Sequence, residues 1–213
     1  MGSNGFLEIT NSSITNLGDE FGDIFFSASG GHWLDDFTLW FGNADDQILV
    51  TTIPTHETNT TRITTSVHAG KGDDTIHVVL DWDAHGAALF IANGQEDNDV
   101  IDATNSTMLM ILFGDGGDDT LFGGVNENIL IGDYGQIFWR DESGVAVARH
   151  GGGGYGDFTD NTLRHPYLIE SLYPPLITNW VPTNSFDSGS DTIHGNGERD
   201  IIFGSGGALG EFS

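Results

Sequence analysis

The residues of this chain that are best suited to chemistry are aspartates in glycine-rich turns. In residues 69–80, AGKGDDTIHVVL, two glycines precede the pair Asp73 and Asp74, and an alternating apolar run follows at once. Two carboxylates about 4 Å apart repel each other by roughly 4 kcal/mol at an effective dielectric constant near 20, and glycine adds a cost in backbone entropy. A cation would offset both costs, because calcium binds roughly six to eight oxygen ligands from carboxylates and backbone carbonyls.

The same arrangement of a glycine-rich turn, an aspartate and an apolar residue recurs along the chain. The clear copies are residues 70–76, 114–122, 123–131 and 188–207. The looser copies are residues 18–26, 41–49 and 94–102. The first two of these looser copies also fit ordinary solvated turns that bind no metal. Asp191 and Asp200 stand nine residues apart, so the best-matched copies have a nine-residue period.

This pattern resembles the hemolysin-type, or RTX, calcium-binding repeat, G-G-x-G-x-D-x-U-x, in which U is apolar. The resemblance implies that neighbouring turns share Ca²⁺ ions, bound by backbone carbonyls of the glycine part and by the carboxylate at the sixth position. It therefore implies several Ca²⁺ ions per chain. The metal-site residues that it marks are Gly70, Gly72, Asp74, Gly94, Asp97, Asp99, Gly114, Gly117, Asp119, Asn128, Asp133, Gly189, Asp191, Gly195, Gly197 and Asp200.

Two positions depart from the pattern of the family. Asn128 stands where an aspartate is expected in the second of the consecutive copies, and Leu209 does so in the last copy. We therefore expect a weak or empty half-site at Asn128 and no site at Leu209. Asp46 fits the sixth position of the looser copy at 41–49.

The spacing of the turns predicts the fold. Equivalent aspartates at positions 23, 46, 74, 99 and 119 are separated by 23, 28, 25 and 20 residues. Short segments rich in β-branched and aromatic residues, such as QILV and TIHVVL, lie between them and are typical of strands. We predict an all-β fold, a parallel β-solenoid similar to an RTX β-roll, with two strands and one acidic turn per coil. From residue 114 onward, the coil is predicted to shorten to 18 residues.

One long segment, residues 137–186, interrupts this pattern. Residues 137–140 and 145–149 predict a β-hairpin, and the remainder holds four of the five prolines, which suit edge or irregular structure. We predict solenoid coils over residues 1–136, a hairpin and proline-rich excursion packed on the solenoid over 137–186, and resumed repeats over 187–213.

The composition limits the partners of the chain. It has 32 acidic and 6 basic residues, a net charge of −26, and 23 of the acids are aspartate. Contacts with nucleic-acid phosphates and with anionic lipid surfaces are therefore unfavourable, whereas cations and basic surfaces are suitable partners. The absence of cysteine excludes disulfides. Because no apolar run reaches the ~18 residues of a membrane span, we expect no membrane insertion.

The resemblance implies a non-catalytic, structural or adhesive segment of a larger secreted or surface protein, which folds on meeting extracellular calcium. Glycans and other surface proteins are the partners that such a role allows. A second class stays open, because RTX repeats also follow secreted enzymes, and a groove with Trp33, Trp40 and Trp82 could bind or cleave polysaccharide. A third alternative is calcium-dependent recognition of a ligand by residues 137–186.

Sequence motifs for catalysis are weak. The sequence lacks the H-E-x-x-H and G-x-S-x-G motifs, which removes the zinc-protease and α/β-hydrolase interpretations. Two acid pairs, at residues 35–36 and at Asp81 with Asp83, have the composition of a glycosidase dyad. Chance pairs of this kind are expected in a chain this acidic.

Overall fold

We describe a computed structural model of the chain. It describes residues 7–10, 12–15, 24–25, 27, 36–56, 63–85, 88–140, 146–151, 165–171, 189–196 and 200–204. The elements in chain order are β1 (Leu7–Ile9), β2 (Ser13–Thr15), β3 (Ile24–Phe25), β4 (Phe37–Trp40), β5 (Gln47–Val50), β6 (Thr64–Lys71), β7 (Thr75–Val78), α1 (Trp82–His85), β8 (Leu89–Glu96), β9 (Val100–Asp102), β10 (Met110–Gly116), β11 (Thr120–Phe122), β12 (Ile129–Asp133), β13 (Gly135–Arg140), β14 (Ala146–Gly151), β15 (His165–Ser171), β16 (Thr192–His194) and β17 (Ile201–Phe203).

The strands form three sheets. Sheet A has eight strands in the order β16-β11-β9-β7-β5-β1-β2-β3, sheet B has six in the order β17-β12-β10-β8-β6-β4, and sheet C has three in the order β14-β13-β15. All pairs in sheet B are parallel. Sheet A is parallel from β16 to β1, and β1, β2 and β3 pair antiparallel. Sheet C is antiparallel throughout.

From β4 to β12 the chain alternates between sheets B and A, and we call each sheet-B strand with the sheet-A strand that follows it a repeat. Gln47 pairs with Thr75, Thr75 with Val100, and Val100 with Thr120. Successive repeats are therefore 28, 25 and 20 residues apart. From β10 to β12 the step is 18 residues, since Ile111 pairs with Ile129.

A long insertion interrupts the next repeat. Thr120 of β11 pairs with Thr192 of β16, a step of 72 residues instead of 18. The additional 54 residues enter between β12 and β16 and contain sheet C. The insertion therefore adds an antiparallel sheet while the pairing of sheets A and B continues on either side of it.

One hydrophobic core joins sheets A and B. Every second residue of the central strands enters it, as the period-two alternation of a strand requires. Its buried members from sheet A include Ile48, Val50, Ile76, Val78, Ile101 and Leu121. Its buried members from sheet B include Val67, Ala69, Phe90, Ala92, Met110, Leu112 and Leu130.

The opposite face of sheet B is also apolar and buried. The alternate residues of β8, β10 and β12 form a second cluster, which also contains a residue of sheet C. Its buried members are Leu89, Ile91, Ile111, Phe113, Ile129, Ile131 and Ile137. A strand that is buried on both faces has a nearly continuous apolar sequence. This explains why segments such as MLMILF lack polar residues.

The structure agrees with the predicted fold class at a coarse level. The chain is mostly β, with two mostly parallel sheets. The predicted hairpin of the excursion corresponds to β13 and β14, and Pro166 lies in β15, an edge strand of sheet C. The loose copy at 18–26 lies largely outside the described residues, and its Ile24–Phe25 pairs antiparallel rather than parallel.

The buried position of Ile137 gives a test of how sheet C is attached. Ile137→Ala removes a fully buried side chain from the second cluster, so the free energy of unfolding should fall by about 2–5 kcal/mol. Urea unfolding followed by circular dichroism measures this loss. The matched control is Val125→Ala, because Val125 is 51% exposed and its truncation should change stability little. Equal effects of both variants would contradict the packing described here.

Candidate metal sites along two columns of turns

The glycine-rich turns stack in two columns, one on either side of the core. The first column links sheet B to sheet A within each repeat, and the second leads from sheet A back to sheet B. We number each turn so that its aspartate, or the equivalent asparagine, is position 6. In the first column, position 6 is Asp46, Asp74, Asp99, Asp119 and Asp191. In the second column it is Asn128 and Asp200.

The backbone of the turns adopts the left-handed region at positions 2 and 4. Position 2 has φ of 115° at Gly70, 90° at Gln95 and 74° at Asp115. Position 4 has φ of 112° at Gly72, 79° at Asp97 and 134° at Gly117. Glycine adopts these angles without steric cost, and aspartate tolerates them better than most residues. The backbone geometry therefore favours glycine at positions 2 and 4, although Gln95, Asp97 and Asp115 adopt the same region.

Position 6 of the first column forms a ladder of side chain to backbone hydrogen bonds. Oδ1 of Asp74 accepts from the N–H of Asp46 at 2.6 Å, and Oδ1 of Asp99 accepts from that of Asp74 at 2.8 Å. Oδ1 of Asp119 accepts from Asp99 at 2.8 Å, and Oδ1 of Asp191 accepts from Asp119 at 3.1 Å. We call this row the inner ladder. Each carboxylate thus bonds to the turn of the preceding repeat.

Position 5 forms a second ladder that runs in the opposite direction. Oδ1 of Asp45 accepts from the N–H of Asp73 at 3.1 Å, and Oδ1 of Asp73 accepts from that of Asn98 at 3.0 Å. The side chain of Asn98 then accepts from Asp118 at 2.9 Å, which in turn accepts from Ser190 at 2.7 Å. This outer ladder is exposed. The two adjacent acids of the GDD segment therefore have distinct roles, one buried and one at the surface.

In three turns of the first column, a glycine at position 1 faces the second oxygen of the inner-ladder carboxylate. A Cβ atom on Gly94 would lie 2.1 Å from Oδ2 of Asp99, and one on Gly114 would lie 2.3 Å from Oδ2 of Asp119. A Cβ on Gly132 would lie 2.2 Å from Oδ2 of Asp191. These glycines are required because the carboxylates occupy the space of a side chain.

The long insertion splits one of these turns. Gly132 and Asp191 are 59 positions apart in the sequence but occupy positions 1 and 6 of a single turn. Gly189 stacks on the preceding turn, since its Cβ would lie 2.0 Å from the carbonyl oxygen of Gly117. The insertion therefore leaves the column of turns intact.

The inner-ladder carboxylates are buried and incompletely satisfied. Asp74, Asp99 and Asp119 are each 1% exposed, and their Oδ2 atoms have no hydrogen-bond partner among the described residues. Burial is the largest cause that raises their pKa values, to about 6 for Asp74, about 9 for Asp99 and about 7 for Asp119. The charges of neighbouring ladder aspartates raise them further. The column therefore holds negative charge only at a considerable cost.

In the second column, position 6 is an asparagine, Asn128, whose side chain has hydrogen-bond partners for both its oxygen and its nitrogen. Oδ1 of Asn128 accepts from the N–H of Met110 at 3.3 Å, as the ladder aspartates do with their neighbours. The amide nitrogen of Asn128 donates to the carbonyl oxygens of Gly124 and Asn126, which are positions 2 and 4 of its own turn. The N–H of Asn128 donates to Oδ1 of Asp200 at 2.8 Å. Two backbone carbonyls thus point toward the side chain at position 6.

Most of the metal-site residues predicted from the sequence lie in these two columns. Gly195 faces Asp200 as Gly94 faces Asp99, and Asp97 accepts a hydrogen bond from the N–H of Gly72 at 3.0 Å. Gly197 lies outside the described residues. Asp133 belongs to β12, where it pairs with Asp115 of β10 at position 2 rather than at position 6.

Sequence reasoning missed the outer ladder and Asp115. The signal for the outer ladder was present, since a short polar residue directly precedes each first-column aspartate. The pairing of Asp115 with Asp133 depends on strand register, which the 18-residue step between the two residues indicated.

Several of the residues considered for a glycosidase acid pair or a polysaccharide-binding groove make contacts within the fold. Oδ1 of Asp81 accepts from the N–H of Asp83, and Oδ1 of Asp36 accepts from the N–H of Thr64. Trp40 is 58% exposed and its ring stacks on His68 at 3.8 Å, whereas Trp33 lies outside the described residues. Within the described part of the chain, no helix has the length and apolarity to cross a membrane.

Side chains alone do not complete a metal cage. In the described ranges, no three Asp, Glu or His side chains come together in an arrangement that could hold a metal ion. An ion at the inner ladder would therefore need backbone carbonyl oxygens among its ligands. The chain matches no protein-family model, no curated protein and no solved structure.

The contact between position 1 and the ladder can be tested with alanine. Gly94→Ala places a methyl group against Asp99, and the overpacking should lower the free energy of unfolding by about 1–3 kcal/mol. Gly42→Ala is the matched control, because a Cβ at Gly42 meets no atom within 4 Å. Urea denaturation of both variants in one buffer compares them. A loss of stability that is the same at both glycines would contradict the proposed role of position 1.

The raised pKa values predict how the metal-free protein responds to pH. The folded-state pKa values of Asp74, Asp99 and Asp119 lie above the ordinary aspartate value of 3.8, so the folded state binds protons more tightly than the unfolded state. This contribution to stability is complete below about pH 4 and is lost as the pH rises through about 6 to 9. Urea midpoints of metal-stripped protein should fall over this range. In Asp99→Asn the fall above pH 7 should be smaller, and midpoints that rise with pH would contradict the assignment.

Proposed function

We propose that this chain is a calcium-loaded parallel β-solenoid that serves as a structural or adhesive segment of a longer secreted or surface protein. The chemistry of the inner ladder supports this proposal. The single observation that carries it is the hydrogen bonding of Asn128, whose amide nitrogen donates to the carbonyls at positions 2 and 4.

An ionised aspartate cannot make these hydrogen bonds. An ionised carboxylate only accepts, so at Asp74, Asp99 and Asp119 the second oxygen and the carbonyls at positions 2 and 4 are all acceptors. A set of converging acceptors without a donor is unfavourable in a buried site. A cation supplies what the amide of Asn128 supplies in the second column.

Calcium is the cation that suits these ligands best. It prefers hard oxygen ligands from carboxylates and carbonyls and tolerates flexible geometry. The residues that would hold it in the first column are Asp74, Asp99, Asp119 and Asp191, with the carbonyl oxygens of positions 2 and 4. When bound, the ion supplies positive charge that neutralises the ladder and joins adjacent turns.

A mechanical role follows from this arrangement. Each ion would link one repeat to the next, so that the column becomes stiff only where calcium is abundant. Extracellular calcium sites bind at roughly 10⁻⁴–10⁻³ M, which fits folding after export. The net charge of −26 adds repulsion that favours an extended or unfolded chain before calcium binds.

Removal of calcium tests this function directly. In a chelating buffer the melting temperature should fall sharply, because the loss of ligand from the folded state removes about 2.7 kcal/mol per ion at a concentration 100-fold above Kd. Differential scanning calorimetry with and without calcium measures the shift, and equilibrium dialysis counts the ions. An unchanged melting temperature together with no bound calcium would contradict the proposal.

A reciprocal exchange of amide and acid sharpens the test. Asp119→Asn should bind one ion fewer and melt higher than the parent protein in chelator, since its amide can donate as Asn128 does. Asn128→Asp should melt lower in chelator and recover in calcium. If both substitutions shift the melting temperature in the same direction in chelator, position 6 is not a cation ligand.

A further inference from the structure

The outward face of sheet A differs from that of sheet B. Parallel sheets are usually covered on both faces, and the outward face of sheet B follows this rule, since it packs with Ile137 of sheet C. On the outward face of sheet A, however, the apolar side chains of Val79 and Val100 are exposed. Thr192 and His194, in the edge strand β16, are exposed as well. Sheet A therefore has a face that is open to a partner.

Two rows of side chains cross this face in register. Strand pairing places equivalent residues of β5, β7, β9, β11 and β16 side by side, about 4.8 Å apart. We call these rows the threonine row and the ring row. The threonine row consists of Gln47, Thr75, Val100, Thr120 and Thr192. The ring row consists of Leu49, His77, Asp102, Phe122 and His194.

The threonine row offers hydrogen-bonding groups that the fold does not use. The hydroxyl groups of Thr75, Thr120 and Thr192 form no hydrogen bond within the described part of the chain. Each hydroxyl can donate one hydrogen bond and accept others. An apolar partner on this row would leave these groups buried and unpaired, which is unfavourable. The row therefore favours a partner that is itself rich in hydroxyl groups.

The ring row adds apolar surface beside these hydroxyls. The rings of Phe122 and His194 lie parallel, with an interplanar angle of 5° and their centroids 5.0 Å apart. Phe122 is half-buried and His194 is exposed. A ligand that presents both C–H and O–H groups would fit this combination of rings and hydroxyls.

This face carries little charge, although the chain as a whole has a net charge of −26. Asp102 is the one acid in the two rows, and its Oδ2 lies 3.5 Å from Nδ1 of His77. Exposed acids lie instead in the outer ladder of the first column, at Asp45, Asp73 and Asp118. An uncharged partner suits the face best, because the chain repels polyanions and its acidic turns attract polycations.

We propose that the outward face of sheet A binds an uncharged polysaccharide, which crosses the strands along the two rows. Its hydroxyl groups would bond to Thr75, Thr120 and Thr192, and its C–H groups would pack against Phe122 and Val100. This inference assigns a ligand class to the adhesive role proposed above and rests on that part of the proposed function. The surface is separate from Trp40, which lies in sheet B.

Affinity electrophoresis in calcium-containing gels tests the ligand class. The chain should be retarded by at least one of two uncharged probes, hydroxyethylcellulose and dextran. Carboxymethylcellulose has the same backbone as hydroxyethylcellulose but carries negative charge, so it should retard the chain less. No retardation by either uncharged probe, or equal retardation by carboxymethylcellulose, would overturn the inference.

Thr120→Val tests the location of the site. Valine suits a strand and keeps the shape of threonine, so the fold should be unchanged. The Kd for the bound probe should rise about two- to tenfold, which corresponds to the loss of one hydrogen bond. Trp40→Ala is the matched control, because it removes an exposed aromatic side chain from sheet B and should leave the Kd unchanged. An affinity that falls in Trp40→Ala but not in Thr120→Val would contradict this location.

Two further measurements separate this inference from the calcium proposal and from dimerisation. Equilibrium dialysis counts calcium in the same protein samples. A chain that binds calcium but neither uncharged probe keeps the calcium proposal and loses only this inference, whereas a chain that binds a probe but no calcium does the reverse. Sedimentation without polysaccharide detects a second copy on this face. Self-association that Thr120→Val weakens, without binding to either probe, would assign the face to a dimer and overturn the inference.

Discussion

The structure depends on carboxylates that bond to the backbone of the neighbouring repeat. In the inner ladder, one oxygen of each aspartate accepts the N–H of the equivalent aspartate before it, from Asp46 to Asp191. The backbone carbonyls are used in the same junctions, since the residue after each aspartate donates to the carbonyl of the previous one. The ladder fixes the spacing of the turns, and the turns fix the register of both sheets.

This arrangement leaves an imbalance between donors and acceptors. One oxygen per aspartate finds a donor, but the second oxygen is buried without one among the described residues. At Asn128 the same geometry has a donor, because the amide reaches two carbonyls of its own turn. The contrast between an amide and an acid at equivalent positions is the physical basis of the calcium proposal.

The two faces of sheet B divide the molecule into two kinds of contact. The inward face packs against sheet A in the main core, and the outward face packs with Ile137 of the inserted sheet. The outward face ends in Asn93, Asp115 and Asp133, which are buried. Buried polar side chains therefore follow the apolar residues at the end of this outward face.

The sequence predicted much of this arrangement because its signals are local. Alternating apolar residues indicate strands, and a turn that needs positive φ selects glycine at residues such as Gly70 and Gly72. The repeated Gly-x-x-x-x-Asp spacing of Gly94 with Asp99 and of Gly114 with Asp119 reflects a contact within one turn. The mostly β, mostly parallel architecture followed from these features.

Other features depended on contacts between distant parts of the chain. Only the tertiary structure placed Asp119 and Asn128 in different columns, since strand direction decides on which side of the core a turn lies. It also joined Gly132 to Asp191 across the insertion and set Asp115 beside Asp133. Residue types and local spacing thus determined the turns and strands by themselves, whereas register and packing decided which carboxylates are buried together, because burial and charge repulsion arise between repeats and not within one.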